Sequence, residues 1–391
     1  MGLIRRIADY LEPETRHTTS WDMMQGVDLG GAYPANPRAA ENLSTVLACV
    51  GAISSAMASL PCYVYRFVES SGRVIDDRHS VARLIDGGPN QNQTWSDFIE
   101  WVMASVLLRG NAFAEIITDN RGAVVGLNPI PWENVSVQLL PNRRLVYDVS
   151  DVTYLGGGSG RPRRLLQGEM FHLRDRSDDA LIGVSRLRRA AAVVQAGLSI
   201  QNFANALYTN GINPSGALEV DAKLGELSHE RLRKSFEQAF SGSSNAARAL
   251  ILEQGVKWRQ ISVSPEDAEF LASRRFTVEE LCRIFGVPPV IAGDLSHGTF
   301  TNSETMLRWF AMATLTPWIR KIEAEFSRSV FSEASRSTHK LEIDLSGLLR
   351  GDPAQRWASW KIAADANILT VNEIREMEGF NPLPARAPSA G

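Results

Sequence analysis

Lysine, paired cysteine and any surplus of positive charge are what this chain of 391 residues has least of. Lysine stands only at 223, 234, 257, 321, 340 and 361, and Lys+Arg 41 against Asp+Glu 44 leaves a formal net charge of −3. Tight nucleic-acid binding draws on a basic surplus that neutralises phosphates and releases their counterions, so this balance argues against a firm grip on DNA or RNA. The preference for arginine points to a GC-rich genome before it points to ion pairing. Cysteine occurs at 49, 62 and 282, each alone and without a C-x-x-C, so neither a disulfide framework nor a zinc site is encoded and a reducing compartment fits. The segment Met1 to Glu12 has no signal-peptide core and gives no secretion address.

Catalytic motifs are missing as well. No G-x-x-x-x-G-K-[ST] occurs, which speaks against a P-loop motor. Gly156-Gly157-Gly158-Ser159-Gly160 matches neither a dinucleotide fingerprint nor a nucleophile elbow and reads as a loop. His229-Glu230 lacks the second histidine of a zincin and reads as the first turn of a helix. Histidines 17, 79, 172, 297 and 339 are scattered, so a triad would need a tertiary coincidence. Asp178-Asp179 reads as a pair of solvated loop charges. No catalytic, cofactor-binding or metal-binding residue is assigned, and the absence points to a structural or binding role.

One stretch, Asn42 to Tyr65, carries no charge and raises the question of a membrane span. Its pattern answers otherwise: Leu43, Val46, Leu47, Val50, Ile53, Met57 and Leu60 form one stripe, serines and threonine fill much of the rest, and Pro61 ends it. A buried amphipathic helix is expected, and no membrane partner. Residues 13 to 40 read as an extended arm. A hairpin follows at 61–76, then a helix capped by Thr94 with Asp97 at the capping-box position and ending at Gly110. Ala112 to Thr118 and Ala123 to Leu127 flank the turn Asp119-Asn120-Arg121-Gly122, and strands are expected at 135–139, 144–149 and 170–173. This first part reads as α+β.

The texture then changes. Val184 to Thr209 reads as one helix of about 26 residues, about 39 Å long. A small βαβ-like insert is expected over 215–261, with a capped helix from Ser228 to Phe240. A second helix starts at Ser264-Pro265-Glu266-Asp267 and ends at Phe285, where Gly286 can stop the turn and Pro288-Pro289 forbid its continuation. Beyond this joint, Gly293 to Asn302 is polar and rich in backbone freedom. A long helix from Asn302 or Ser303 to about 331 should kink near 313 to 317 because Pro317 lacks an N–H. A strand at 339–345 and two short helices at 352–366 and 370–379 close the chain, the second helix with a Thr370/Glu373 capping box.

Taken in this order, several strings resemble the portal proteins of long-tailed double-stranded DNA phages and gene transfer agents. They are Thr45-Val46-Leu47-Ala48-Cys49-Val50, Gly88-Pro89-Asn90, Leu108-Arg109-Gly110-Asn111-Ala112-Phe113, Asn245-Ala246-Ala247-Arg248, Ser264-Pro265-Glu266-Asp267-Ala268, Ile284-Phe285-Gly286-Val287-Pro288-Pro289 and Thr370-Val371-Asn372-Glu373-Ile374-Arg375. The resemblance implies an α+β portal fold with an α/β wing, a two-helix stem, an inserted α/β clip and a small helical crown. Its parts would be an N-terminal arm 1–40, wing 41–183, stem helices 184–211 and 264–286, clip 212–263, tunnel loop 287–303, a kinked bridging helix and returning wing strand 304–350, and a reduced crown and tail 351–391.

The resemblance further implies a homo-oligomeric ring, a dodecamer, at one capsid vertex of a virion or phage-like particle assembled in the host cytoplasm. Its partners would be the major capsid protein, the large terminase subunit, the head-tail adaptor and double-stranded DNA passing without sequence specificity. Gly293, Asp294, His297, Thr299, Thr301 and Asn302 would lie near DNA. Glu266, Asp267, Glu269, Arg274 and Arg275 would line the channel or pair between subunits, and Arg231, Lys234 and Glu237 would dock terminase or adaptor. Two other classes remain open at this level: a capsid-associated adaptor that never touches DNA, and a hydrolase with a dispersed site.

Overall fold

The computed structural model describes residues 37–68, 72–150, 162–210, 216–219, 257–260, 277–295, 300–349, 353–378, 380–381 and 383. The uncharged stretch is helix α1 (Ser44–Ala58), which buries Val46, Cys49, Val50, Ile53 and Met57. Leu47, expected in that stripe, is 58% exposed, and Cys49 takes its place against the core. Ser54 is also buried and returns its hydroxyl to the Val50 carbonyl at 2.8 Å, so the inward polar group carries no unmet donor. Strands β1 (Cys62–Val68) and β2 (Gly72–Ile75) form the expected hairpin.

Helix α2 (Ser80–Gly87), capped by the His79 ring accepting from the Val81 N–H, is not expected from the sequence pattern. Its signal is short: Val81, Leu84 and Ile85 before Gly87-Gly88, with a histidine where Ser, Thr, Asp or Asn is usual. Helix α3 (Trp95–Arg109) has the capping box in full, Thr94 and Asp97 each accepting the other's backbone N–H, and Gly110 ends it at φ 82. It is buried on more than the expected face, with Met103, Leu107 and Leu108 covered as well as Phe98, Val102 and Val106.

Beside α3 lies an antiparallel sheet, and a second sheet packs on that one. Strand β3 (Asn111–Thr118), buried over its first six residues, lies between β4 (Val124–Ile130) and a strand much further along the chain, Met170–Arg174. Strands β5 (Val135–Leu139), β6 (Leu145–Val149) and β7 (Arg163–Leu166) form the second sheet, and Met170–Arg174 is therefore β8. β7 has no clear signature in the sequence, because its Arg163-Arg164-Leu165-Leu166 neither alternates nor carries a β-branched residue. Phe113, Ile130, Val135, Tyr147 and Met170 fill the space between the two sheets. At about 1.5–3 kcal/mol for each large apolar side chain taken from water, such a layer is a major favourable contribution to this part of the fold.

The expected single helix from 184 is broken. Arg186–Arg189 makes one turn, Ala190 leaves helical geometry at φ −105 and ψ 30, and helix α4 (Ala191–Asn210) follows. Within the insert, β9 (Gly216–Glu219) and β10 (Lys257–Gln260) pair antiparallel, so the connection between them is not the parallel crossover of a βαβ unit. The expected helix at 228–240 lies outside the described residues, as do residues 264–276 of the second long helix. What remains of that helix, α5, covers 277–285.

Helix α6 (Phe300–Trp309) begins two or three residues earlier than expected. A π-helical segment, Phe310–Leu315, widens the turn, the Thr316 N–H reaches back to Ala311, and Pro317 falls in the first turn of helix α7 (Thr316–Glu325), where a missing N–H is harmless. A second π segment, Phe326–Val330, ends the run. Strand β11 (His339–Ile343) then returns to the beginning of the fold and pairs with β1, Cys62 opposite Ile343. Helices α8 (Pro353–Asp365) and α9 (Val371–Met377) finish the described chain, with Thr370 and Glu373 forming the expected box.

Candidate functional site

The joint after α5 is built as its residues dictate. Gly286 takes φ 70, a backbone that favours glycine, and the Val287 N–H closes onto the Cys282 carbonyl at 3.0 Å. Pro288 and Pro289 then open a tight turn in which Ile291 N–H bonds the Pro288 carbonyl at 2.9 Å and Asp294 N–H bonds the Pro289 carbonyl at 2.9 Å. Gly293 adopts φ 92 within it. Val287 is buried, and Leu295, on the way out, is 71% exposed.

Three groups from distant sequence hold the end of α5 in place. The Thr314 hydroxyl, presented by the first π segment, donates to the Gly286 carbonyl. Arg186 Nη1 donates to the Phe285 carbonyl at 2.7 Å, a cation on the negative end of the helix. The same guanidinium donates through Nε to Asp175 at 3.2 Å and lies 5.3 Å from the Trp318 ring centroid. Lys321 adds its ammonium 5.0 Å from that ring and donates to the Arg174 carbonyl at 3.1 Å. Burial pulls the Lys321 ammonium down, and the Asp175 carboxylate partly offsets this. Cys282, on α5 itself, packs against Cys49 of α1, with their sulfurs 3.9 Å apart and Cys49 donating. Its bond to Cys282 and its burial push the Cys49 thiol up.

A second buried polar system braces the sheet behind this joint. Asn111 Oδ1 accepts from the Gly183 N–H at 2.8 Å while its Nδ2 donates to the Gly183 carbonyl at 2.7 Å. With that oxygen an acceptor, His172 Nε2, 2.9 Å away, carries the proton, and Nδ1 accepts from the Tyr147 hydroxyl at 3.2 Å. Complete burial drives the His172 ring well below its usual value, and burial pushes the Tyr147 phenol up to about 12. Glu325 accepts from the His172 backbone N–H at 3.0 Å and holds Arg328 in a two-point pair at 2.8 and 2.6 Å. That pair outweighs the partial burial of Arg328 and keeps its guanidinium firmly charged.

Of the residues singled out from sequence, Gly293 and Asp294 lie in the turn at the joint, and Thr301 and Asn302 lie in α6 and not in a loop. His297, Thr299, the five stem residues Glu266, Asp267, Glu269, Arg274 and Arg275, and the clip residues Arg231, Lys234 and Glu237 lie outside the described residues. Asp179 is no free loop charge. Its carboxylate, partly desolvated, accepts from the Leu181 and Ile182 N–H groups and the Ser177 hydroxyl, and the net effect lowers its pKa. Sequence reasoning missed Asp175, Arg186, Thr314, Trp318 and Lys321. Only the arginine run at 186–189 hinted at them, since charge beside a helix end is legible and its partner is not.

The geometry matches known proteins over nearly its whole length. A family model described as phage portal protein matches residues 44–379. The portal protein of Enterobacteria phage HK97 is 31% identical over 346 residues, covering 88% of this chain and 80% of that protein. A probable portal protein of Streptomyces phage phiC31 is 29% identical, covering 89% of this chain and 77% of that one. Among solved structures, a chain of a native gene transfer agent virion superposes with a TM-score of 0.61 at 22% identity, covering 90% of this chain and 95% of that one. A chain from the neck of a native gene transfer agent particle, computed with twelvefold symmetry, gives 0.56 at 21% identity and covers 92% of this chain and 98% of that one.

Proposed function

This chain belongs to the phage portal protein family, a structural and not an enzymatic one, and on that premise we propose that it closes into a ring of twelve at one capsid vertex and serves as the conduit for double-stranded DNA. In this reading 41–183 is the wing, 184–211 and 264–286 the stem, 212–263 the clip that receives terminase and later the adaptor, and 287–303 the loop toward the bore. The reading rests chiefly on the joint. A helix end clamped by Gly286, Thr314 and Arg186 is a rigid support from which a polar segment can project.

Two physical features agree with it. A net charge of −3 per copy suits a channel through which phosphates must slide without being held. Met306, Trp309 and Met312, at helical spacing from α6 into the first π segment, are 37%, 50% and 58% exposed, an apolar face that a neighbouring copy would cover. Electron microscopy of the purified protein tests the reading: rings with a pore wide enough for a duplex are expected, and persistent monomers overturn it. Replacing 294–299 by a glycine-serine linker should leave rings intact and lower the amount of DNA packaged. Loss of ring assembly in that variant would remove the loop from the bore.

A further inference from the structure

At the far end of the long helical run lies a basic cleft. It encloses about 500 Å³ and is bordered by Arg66 of β1, Arg78 and Arg83 at the start of α2, Arg121 of the β3–β4 turn, and Val330 and Ser332 beyond the second π segment. Among the described residues, none of these four guanidiniums has a carboxylate within 4 Å. Several other arginines of the chain, Arg109, Arg163, Arg164, Arg186, Arg189 and Arg328, each hold an acid. The one acid of the cleft, Asp76, is already engaged, accepting from the Arg78 N–H at 3.1 Å and facing His339 Nε2 at 3.1 Å. Four cations around one recess share a single acid, Asp76, whose charge Arg66 helps to stabilise, so positive charge is in excess there and an anion entering the recess would be attracted.

We propose that this cleft is a docking site for an acidic segment of a partner protein, whose carboxylates meet Arg66, Arg78, Arg83 and Arg121. Several observations favour a peptide over nucleic acid. The four arginines come from three elements and line a recess, whereas a duplex carries its phosphates on a convex cylinder that would reach only the rim. Val74, 43% exposed, pairs with Arg66 across the hairpin and so lies on the same face of the sheet, an apolar neighbour that suits the stem of a Glu or Leu side chain and not a phosphate. Charge-charge recognition with an apolar flank is a common mode of acidic-motif capture by arginine clusters.

Position agrees. The run Phe300 to Val330 separates the cleft from the start of α6 by about 45 Å at 1.5 Å per residue. If the loop before α6 faces the bore, which rests on the function proposed above, the cleft faces outward, toward proteins that surround the ring. Its chemistry does not depend on that reading.

Fluorescence anisotropy with a labelled decapeptide of Asp, Glu and Leu, measured on the full-length protein, tests the idea. Binding should weaken steeply with salt, and the Asn/Gln version of the peptide should bind at least tenfold more weakly. Arg78→Glu with Arg121→Glu, both exposed and remote from the joint, should lower affinity at least tenfold while Arg283→Glu does not. Equal binding by the double variant overturns the proposal. So does a 20-base-pair duplex that displaces the labelled peptide at lower concentration than unlabelled peptide, or displacement by millimolar inorganic phosphate. Should the double variant fail to fold, the wild-type competition alone decides. Absence of rings in the microscope would sink the ring reading and leave this result standing.

Discussion

Glu325 is the residue on which most depends at the smallest scale. It is 7% exposed, holds Arg328 by two hydrogen bonds and caps the His172 N–H, so its removal strands a half-buried cation and a buried donor together. Breaking one side of a buried pair costs about 3–5 kcal/mol. Glu325→Ala should therefore lower the melting temperature by several degrees, and Glu325→Gln, which retains an acceptor, by less; calorimetry of the two variants checks the order.

His172 gives a pH dependence with a definite sign. Its folded pKa lies well below the unfolded value of about 6.5, so below that pH the unfolded chain binds a proton that the folded chain refuses. Stability is then full above about pH 6.5 and is lost as pH falls, with a slope of at most about 1.4 kcal/mol per pH unit for one group. His79, also lowered by burial first and His339 second, adds in the same direction. Urea midpoints at pH 7 and pH 5 should differ accordingly, and His172→Gln should flatten the slope. A stability that rises on acidification to pH 5 would contradict the neutral, buried ring.

At the scale of elements, close backbone approach decides what can change. A Cβ built on Gly183 would sit 2.0 Å from the Gly110 carbonyl oxygen, and one on Gly110 would sit 2.5 Å from the Ser185 nitrogen. No rotamer relieves a clash between backbones, so Gly183→Ala should cost more than the ordinary ~1 kcal/mol of a point change and yield little soluble protein on expression. At Gly286 the space is open, with Thr314 Oγ1 3.6 Å from where a methyl group would stand, so only the positive φ opposes a side chain there. Gly286→Ala is expected to cost about 1–2 kcal/mol, visible as a modest drop in melting temperature without loss of fold.

Much of this level was legible. The capping boxes at Thr94 and Thr370, the stop at Gly286 and the hairpin around Asp119 are local chemistry, carried by residues within four positions of one another. Pro317 announces a disturbance of the helix but not its form, because a π turn needs packing on both sides, which the sequence does not display. The break at Ala190 has no sequence signal of its own: alanine is a good helix former, and the chain departs there while Ser185 caps one turn and Arg186 turns to Phe285.

For the whole molecule the exposed face of α6 is the feature to test. Trp309→Glu with Met312→Glu puts two charges where a second copy is expected, without touching a buried side chain. Mass measurement at micromolar concentration should show fewer rings and more monomers while the melting temperature of the monomer is unchanged. If rings persist, the interface lies elsewhere on the chain.

By itself the sequence determined most of the helices and strands, the lack of a catalytic motif and the resemblance in which the family was first visible. These are set by residues near one another or by their order. Tertiary structure alone decided that Asn111 would meet His172, that Arg186 would cap a helix 99 residues further on, and that four arginines from three elements would surround one cleft. Contacts of that kind arise when burial of apolar surface brings distant segments together, and polar groups then either find partners or stay at the surface in water.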